Sequence, residues 1–83
     1  MHEWKITESI IEEILKQAEA SGIKKVNKVI LSIGQDSDLT PDVINFCFDN
    51  LKNNFPINRD LDLEIKMREG MGGVIIEEIE GED

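Results

Sequence analysis

Lys28-Val29-Ile30-Leu31-Ser32-Ile33-Gly34-Gln35-Asp36-Ser37-Asp38-Leu39-Thr40-Pro41-Asp42-Val43-Ile44 is the stretch whose reading decides the fold. Val29, Leu31 and Ile33 alternate with Lys28, Ile30 and Ser32, the period of a strand with one buried face. Gly34 to Asp38 form a polar loop. Thr40-Pro41-Asp42 then opens a helix, with a hydroxyl as N-cap, a proline at the first helical position and an acid in the first turn. This helix is expected to run to about Asn54, with Val43, Ile44, Cys47, Phe48 and Leu51 inward, Phe46 at the margin, and Asn53, Asn54 and Pro56 ending it. A right-handed crossover would carry the helix from this first strand to the next if the two strands are parallel neighbours.

On the N-terminal side, Ile6, Ile10, Ile11, Ile14, Leu15 and Ala18 fall at helical spacing from about Trp4 to Ser21, with Glu8, Glu12, Glu13, Lys16 and Glu19 mostly opposite. Gly22 ends that helix as a left-handed cap. Lys24, Lys25 and Lys28 flank the start of the strand and read as a solvated, edge-protecting run. On the C-terminal side, Leu61, Leu63, Ile65 and Met67 alternate with Asp62, Glu64, Lys66 and Arg68. A glycine-rich link, Glu69-Gly70-Met71-Gly72-Gly73, leads to a last strand. Leu61–Arg68 and Val74–Glu80 read as an antiparallel hairpin. The expected architecture is α+β: two helices packed on one face of a three-stranded mixed sheet, in the order helix, strand, helix, strand, strand.

Eighty-three residues make a single domain, 1–83, with a modest core. Nine basic residues stand against eighteen acidic ones, a formal charge of −9 that repels phosphate backbones and anionic membranes. Nucleic acid is therefore not an expected partner. One cysteine, Cys47, allows neither a disulfide framework nor a cysteine-rich zinc site. It lies mid-helix between two phenylalanines, the setting of a small core hydrophobe. No stretch has the apolar length of a membrane span, and the start lacks the form of a signal peptide, so a cytoplasmic location is expected.

The opening, Met1-His2-Glu3-Trp4, carries the chain's single histidine beside a free α-amine. The Met1 amine, the His2 backbone nitrogen and the His2 Nδ1 can close a five- and a six-membered ring on one ion. That leaves them coplanar, with the fourth corner open. This arrangement suits square-planar Ni(II) or Cu(II), with copper favoured on affinity alone. The Glu3 amide cannot share that plane and could enter only at higher coordination. Asp36, Asp38 or a backbone group near Thr40 could fill the fourth corner, although turn and cap chemistry explains each equally well. Glu3 and Glu8 also suit the positive end of a helix, and Trp4 is expected to pack against the domain and aim the first three residues. As residues of a mobile terminus, the same side chains need no function.

Taken together, MHEW at the start, Ser9-Ile10, the run from Lys25 to Gly34, the spacing of Ser37 and Pro41, FCFD over Phe46 to Asp49, Leu61 to Ile65, and the acidic end through Glu82 resemble the HypA family of hydrogenase-maturation nickel chaperones. The resemblance implies a nickel-binding domain of two helices against three strands. It further implies Met1, His2 and Glu3 as the metal donors, nickel as the ion, a HypB-like GTPase and the hydrogenase large subunit as partners, and no enzymatic activity. One departure is large. Family members hold a zinc domain with two Cys-x-x-Cys pairs between the second and third strands, where this chain has only Arg68 to Gly73. Zinc is accordingly not expected. A metal-free interaction module, using the acidic surface and first helix to bind a partner, is the competing expectation.

Overall fold

In the computed structural model the described residues are 2–83, and of His2 the main chain alone is described. The elements are α1 (His2–Ala20), β1 (Lys25–Gly34), α2 (Pro41–Leu51) continued by a 3-10 turn over Lys52–Asn54, β2 (Asp62–Arg68) and β3 (Val74–Glu82). Two helices and a three-stranded mixed sheet are present, as the patterning predicts.

The sheet order is β2-β1-β3. β1 runs parallel to β2, with Val29 opposite Leu63 and Leu31 opposite Ile65, so α2 is the crossover between parallel neighbours. β1 runs antiparallel to β3, with Val29 opposite Ile79 and Ile33 opposite Val74. The expected hairpin of the last two strands therefore does not form. β2 and β3 are separated by β1, and residues 69–73 cross over its C-terminal end. The physical reason is burial. Val26, Val29, Leu31 and Ile33 are all 4% exposed or less, so β1 is the most apolar strand and takes the centre, where it is covered on both flanks as well as by helices. Gly34 permits the crossing, because a Cβ there would stand 3.0 Å from the Gly70 carbonyl oxygen and 2.7 Å from an Asp36 carboxylate oxygen. Its own N–H donates to the Gly73 carbonyl at 2.8 Å.

The central place of β1 also corrects the reading of its lysines. Lys28 protects no edge; it lies between Asp62 on β2 and Glu80 on β3 and pairs with Glu64 at 3.7 Å. The core is built from Ile10, Ile11, Ile14 and Ala18 of α1, the inward face of β1, and Ile44 and Phe48 of α2, closed below by Ile57 and Leu61. Two residues expected inward are half exposed: Ile6 at 36% and Val43 at 37%. Both line open recesses, Val43 beside Glu3 and Trp4, and Ile6 beside Asp38 on one side and Val74–Ile76 on the other. Gly22, at φ +76°, ends α1 in the left-handed conformation, with Ile23 N–H bonded to the Ala18 carbonyl and Gly22 N–H to that of Glu19.

Candidate metal terminus

α1 begins at His2, two residues earlier than the apolar spacing indicates. The His2 main chain and Glu3 thus belong to the helix's own first turn, where main-chain N–H groups have no intrahelical acceptor. Two contacts hold that turn. The Thr7 hydroxyl, fully buried, donates to the Glu3 carbonyl at 2.7 Å. Trp4 meets Phe46 of α2 edge to face, with ring centroids 5.9 Å apart and planes at 66°. Trp4 therefore packs on the domain as expected, and Phe46, 63% exposed, serves as its seat from outside the core. Thr7 was not legible as a functional residue, since a lone threonine on a helix carries no signal until its burial is known.

The β1–α2 loop faces this turn. Glu3, Ile6, Ser37, Asp38, Leu39 and Val43 line an open recess of about 510 Å³. A second, of about 290 Å³, lies between Glu3, Trp4, Asp42, Val43, Phe46 and Cys47. The three loop candidates for a fourth donor part company here. Asp38 lines the recess with Glu3. Asp36 folds over Gly34 instead, and the Thr40 main-chain carbonyl already accepts from Ile44 N–H at 3.1 Å while the Thr40 hydroxyl caps α2. Ser37 is likewise engaged, accepting from Leu39 N–H at 3.1 Å.

Met1 and the His2 side chain, two of the three principal donors, lie outside the described residues. Among the described residues no three of His, Cys, Asp and Glu come together as a metal cage. Cys47, 1% exposed, is buried in the core.

A buried polar group sits on the opposite face of the sheet, at the same end. Ser32 is 1% exposed. Arg68 Nη1 donates to both its carbonyl and its hydroxyl oxygen at 3.0 Å, Arg68 Nη2 donates to the Met71 carbonyl at 3.3 Å, and the Ser32 hydroxyl donates to Glu77. This clamp ties the link over residues 69–73 to the end of β1.

Two helices over a three-stranded mixed sheet, with the first turn of α1 beside an acidic loop, make a two-layer α+β domain. Comparison with known proteins makes this specific: residues 1–72 match the family model described as hydrogenase/urease nickel incorporation, metallochaperone, HypA, and the chain belongs to the HypA family. The hydrogenase maturation factor HypA of Psychromonas ingrahamii is 38% identical over 72 residues, 86% of this chain and 63% of its own length. That of Geotalea uraniireducens is 45% identical over 49 residues, 59% of this chain and 42% of its own. The first curated relatives are matched over only 41 to 43% of their length. In fold, the chain superposes on the solution structure of the nickel metallochaperone HypA from Helicobacter pylori with a TM-score of 0.72 at 20% identity, over 80% of this chain and 56% of that one. A second solution structure of a HypA protein gives a TM-score of 0.67 at 18% identity over 96% and 91% of the two chains.

Proposed function

We propose that this chain is a nickel-binding domain of HypA type, which takes Ni(II) at its first residues and passes it on during maturation of a nickel–iron hydrogenase. The donors are the Met1 amine, the backbone and Nδ1 nitrogens of His2 and, at higher coordination, a Glu3 donor. Asp38, which lines a recess with Glu3, is the loop carboxylate we assign to completing or steering the set. The observation that carries the reading is the coincidence of the His2-Glu3 opening with a helix start held down by Thr7 and Trp4 beside that loop. The ion is cargo. An open corner and a small set of donors favour release, and a HypB-like GTPase and the hydrogenase large subunit are the partners to whom release would be made. The chain acts as a single domain, 1–83, whose link over residues 69–73 stands where a zinc domain would be mounted, and it carries no structural zinc. No helix among the described residues is long and apolar enough to cross a membrane.

Ni(II) titration by calorimetry, on protein starting at Met1, on His2→Ala and on protein with residues added before Met1, tests the proposal. Measurable but weak binding by the first form alone is expected. Equal binding by all three refutes the terminal site, and no binding by any of them leaves a metal-free interaction module. Because the His2 amide and imidazole must lose protons to bind, affinity should fall as the solution is acidified.

A further inference from the structure

β3 is an outer strand of the sheet, so along Val74–Glu82 a row of main-chain N–H and C=O groups faces away from β1. Beside its first residues runs a groove of about 610 Å³ between Val74, Ile75 and Ile76 and the α1 residues Ile6 and Ile10, open to solvent at Ile6 and Ile75. Beyond Ile76 the strand becomes acidic. A register break between Ile30 and Leu31 of β1 leaves Glu77 as an extra residue, bonded to Ser32, and Glu78 and Glu80 follow on one face. Their carboxylates crowd each other: a hydrogen bond that the protonated Glu78 carboxyl donates to Glu80, together with the Glu80 charge, pushes Glu78 above the ordinary carboxylate range, against a partial offset from Lys28 and Lys66. Lys28 is already shared with Glu64. This edge therefore offers unpaired strand groups, an apolar wall at one end and uncompensated negative charge at the other.

We propose that β3 and the flank of α1 take an extended peptide segment of a partner as a fourth strand, aliphatic where it lies beside Ile6 and Ile10 and bearing lysine or arginine where it passes Glu78 and Glu80. Main-chain pairing supplies the affinity, and the groove and the acidic row fix register and direction. A second copy of this chain is the wrong occupant, since pairing β3 with itself brings two acidic strands together on molecules of formal charge −9 each. The nine residues of the strand accommodate a segment of about 30 Å, from a rise of roughly 3.3 Å per residue.

The test uses fluorescence anisotropy with a labelled ten-residue peptide, alternating valine and threonine in its first half and valine and lysine in its second, together with its reversed sequence. Both are compared with forms methylated on alternate backbone nitrogens, in either phase. Methylation keeps charge and side chains but removes strand donors. One of the two directions should bind, with one methylated phase weakened at least about tenfold, a loss that two of its main-chain hydrogen bonds alone would give. Binding should also fall at least as far in Glu78→Lys/Glu80→Lys, a pair of exposed changes whose folding circular dichroism verifies. Amide NMR shifts should centre on Val74–Glu82 and on α1 at Ile6 and Ile10. The proposal is overturned if neither direction binds or if methylated and unmethylated peptides bind alike, which would leave only unspecific attraction to an acidic chain. Shifts centred on Trp4 and Phe46, or peptide-free pairing of β3 seen as dimers in sedimentation, overturn it as well.

Discussion

The edge-to-face contact of Trp4 on Phe46 joins the first turn of α1 to α2, and replacing either ring separates what it does for the fold from what it does for the metal terminus. An aromatic pair at 5.9 Å and 66° contributes about 0.5–1.5 kcal/mol beyond the area it buries. Phe46 is 63% exposed, so Phe46→Ala leaves little cavity, and its cost should be close to the pair term, about 1 kcal/mol. Trp4→Ala loses the same pair term and additional half-buried surface, about 2 kcal/mol in all. In a chain of this size, with a urea slope near 1 kcal/mol per molar, these are midpoint shifts of roughly 1 M and 2 M. The double variant should be no worse than Trp4→Ala by more than a few tenths of a kcal/mol, giving a coupling of about 1 kcal/mol. Nickel affinity should fall only about threefold in either single variant, because the donors remain and merely lose a preferred starting conformation. A coupling below about 0.3 kcal/mol, the range of independent sites, would refute the claim that the pair holds the helix start.

Thr7→Val, which keeps shape and removes the hydroxyl, should cost about 1 kcal/mol in urea denaturation and speed amide exchange in the first turn of α1. Gly81→Ala places a Cβ 2.2 Å from the Lys25 carbonyl oxygen at the end of the β1–β3 pairing, so thermal unfolding should show loss of about 2 kcal/mol or more. Glu78→Gln tests the crowded carboxylates. The folded-state pKa of Glu78 is raised, so the folded protein binds the proton more readily than the unfolded chain, and stability falls as pH rises through the window above 4.5. The variant should have a higher urea midpoint than the parent at pH 7, and the difference should vanish below pH 4. Cys47→Ala should lower stability by about 1–2 kcal/mol and leave nickel titration unchanged, because the thiol is core and not donor.

Most of the architecture could be read from local signals, because those signals were not contested by distant ones. Thr40 does cap α2, Gly22 does close α1, and the alternation of Val29, Leu31 and Ile33 does mark the buried face of β1. The pairing of the last two strands was not legible. A glycine-rich link between two period-two runs has the local form of a hairpin, and what decides against it is competition for the sides of β1, a property of the assembled sheet. Ile6 and Val43 are half exposed for a related reason: helical spacing gives the face of a side chain but not the open recesses that neighbouring elements leave beside it. Near the first turn of α1, the loop carboxylate that shares a recess with Glu3, Asp38, could be told from Asp36 only once the loop was folded, since the two lie two positions apart.

The link over residues 69–73 leaves one outer strand and returns on the other, so its two feet stand about 10 Å apart, two interstrand spacings, astride β1. A hairpin tip would offer a single flexible stalk. This saddle offers two anchorages, at the same end of the sheet as Asp36 and Asp38, with Arg68 bolting one side down. A longer segment spliced in here would be restrained from swivelling freely and would be held over the end of the molecule where the chain begins. Relatives differing in the length of this link would therefore differ in what overhangs the first turn of α1, while the sheet beneath stayed the same.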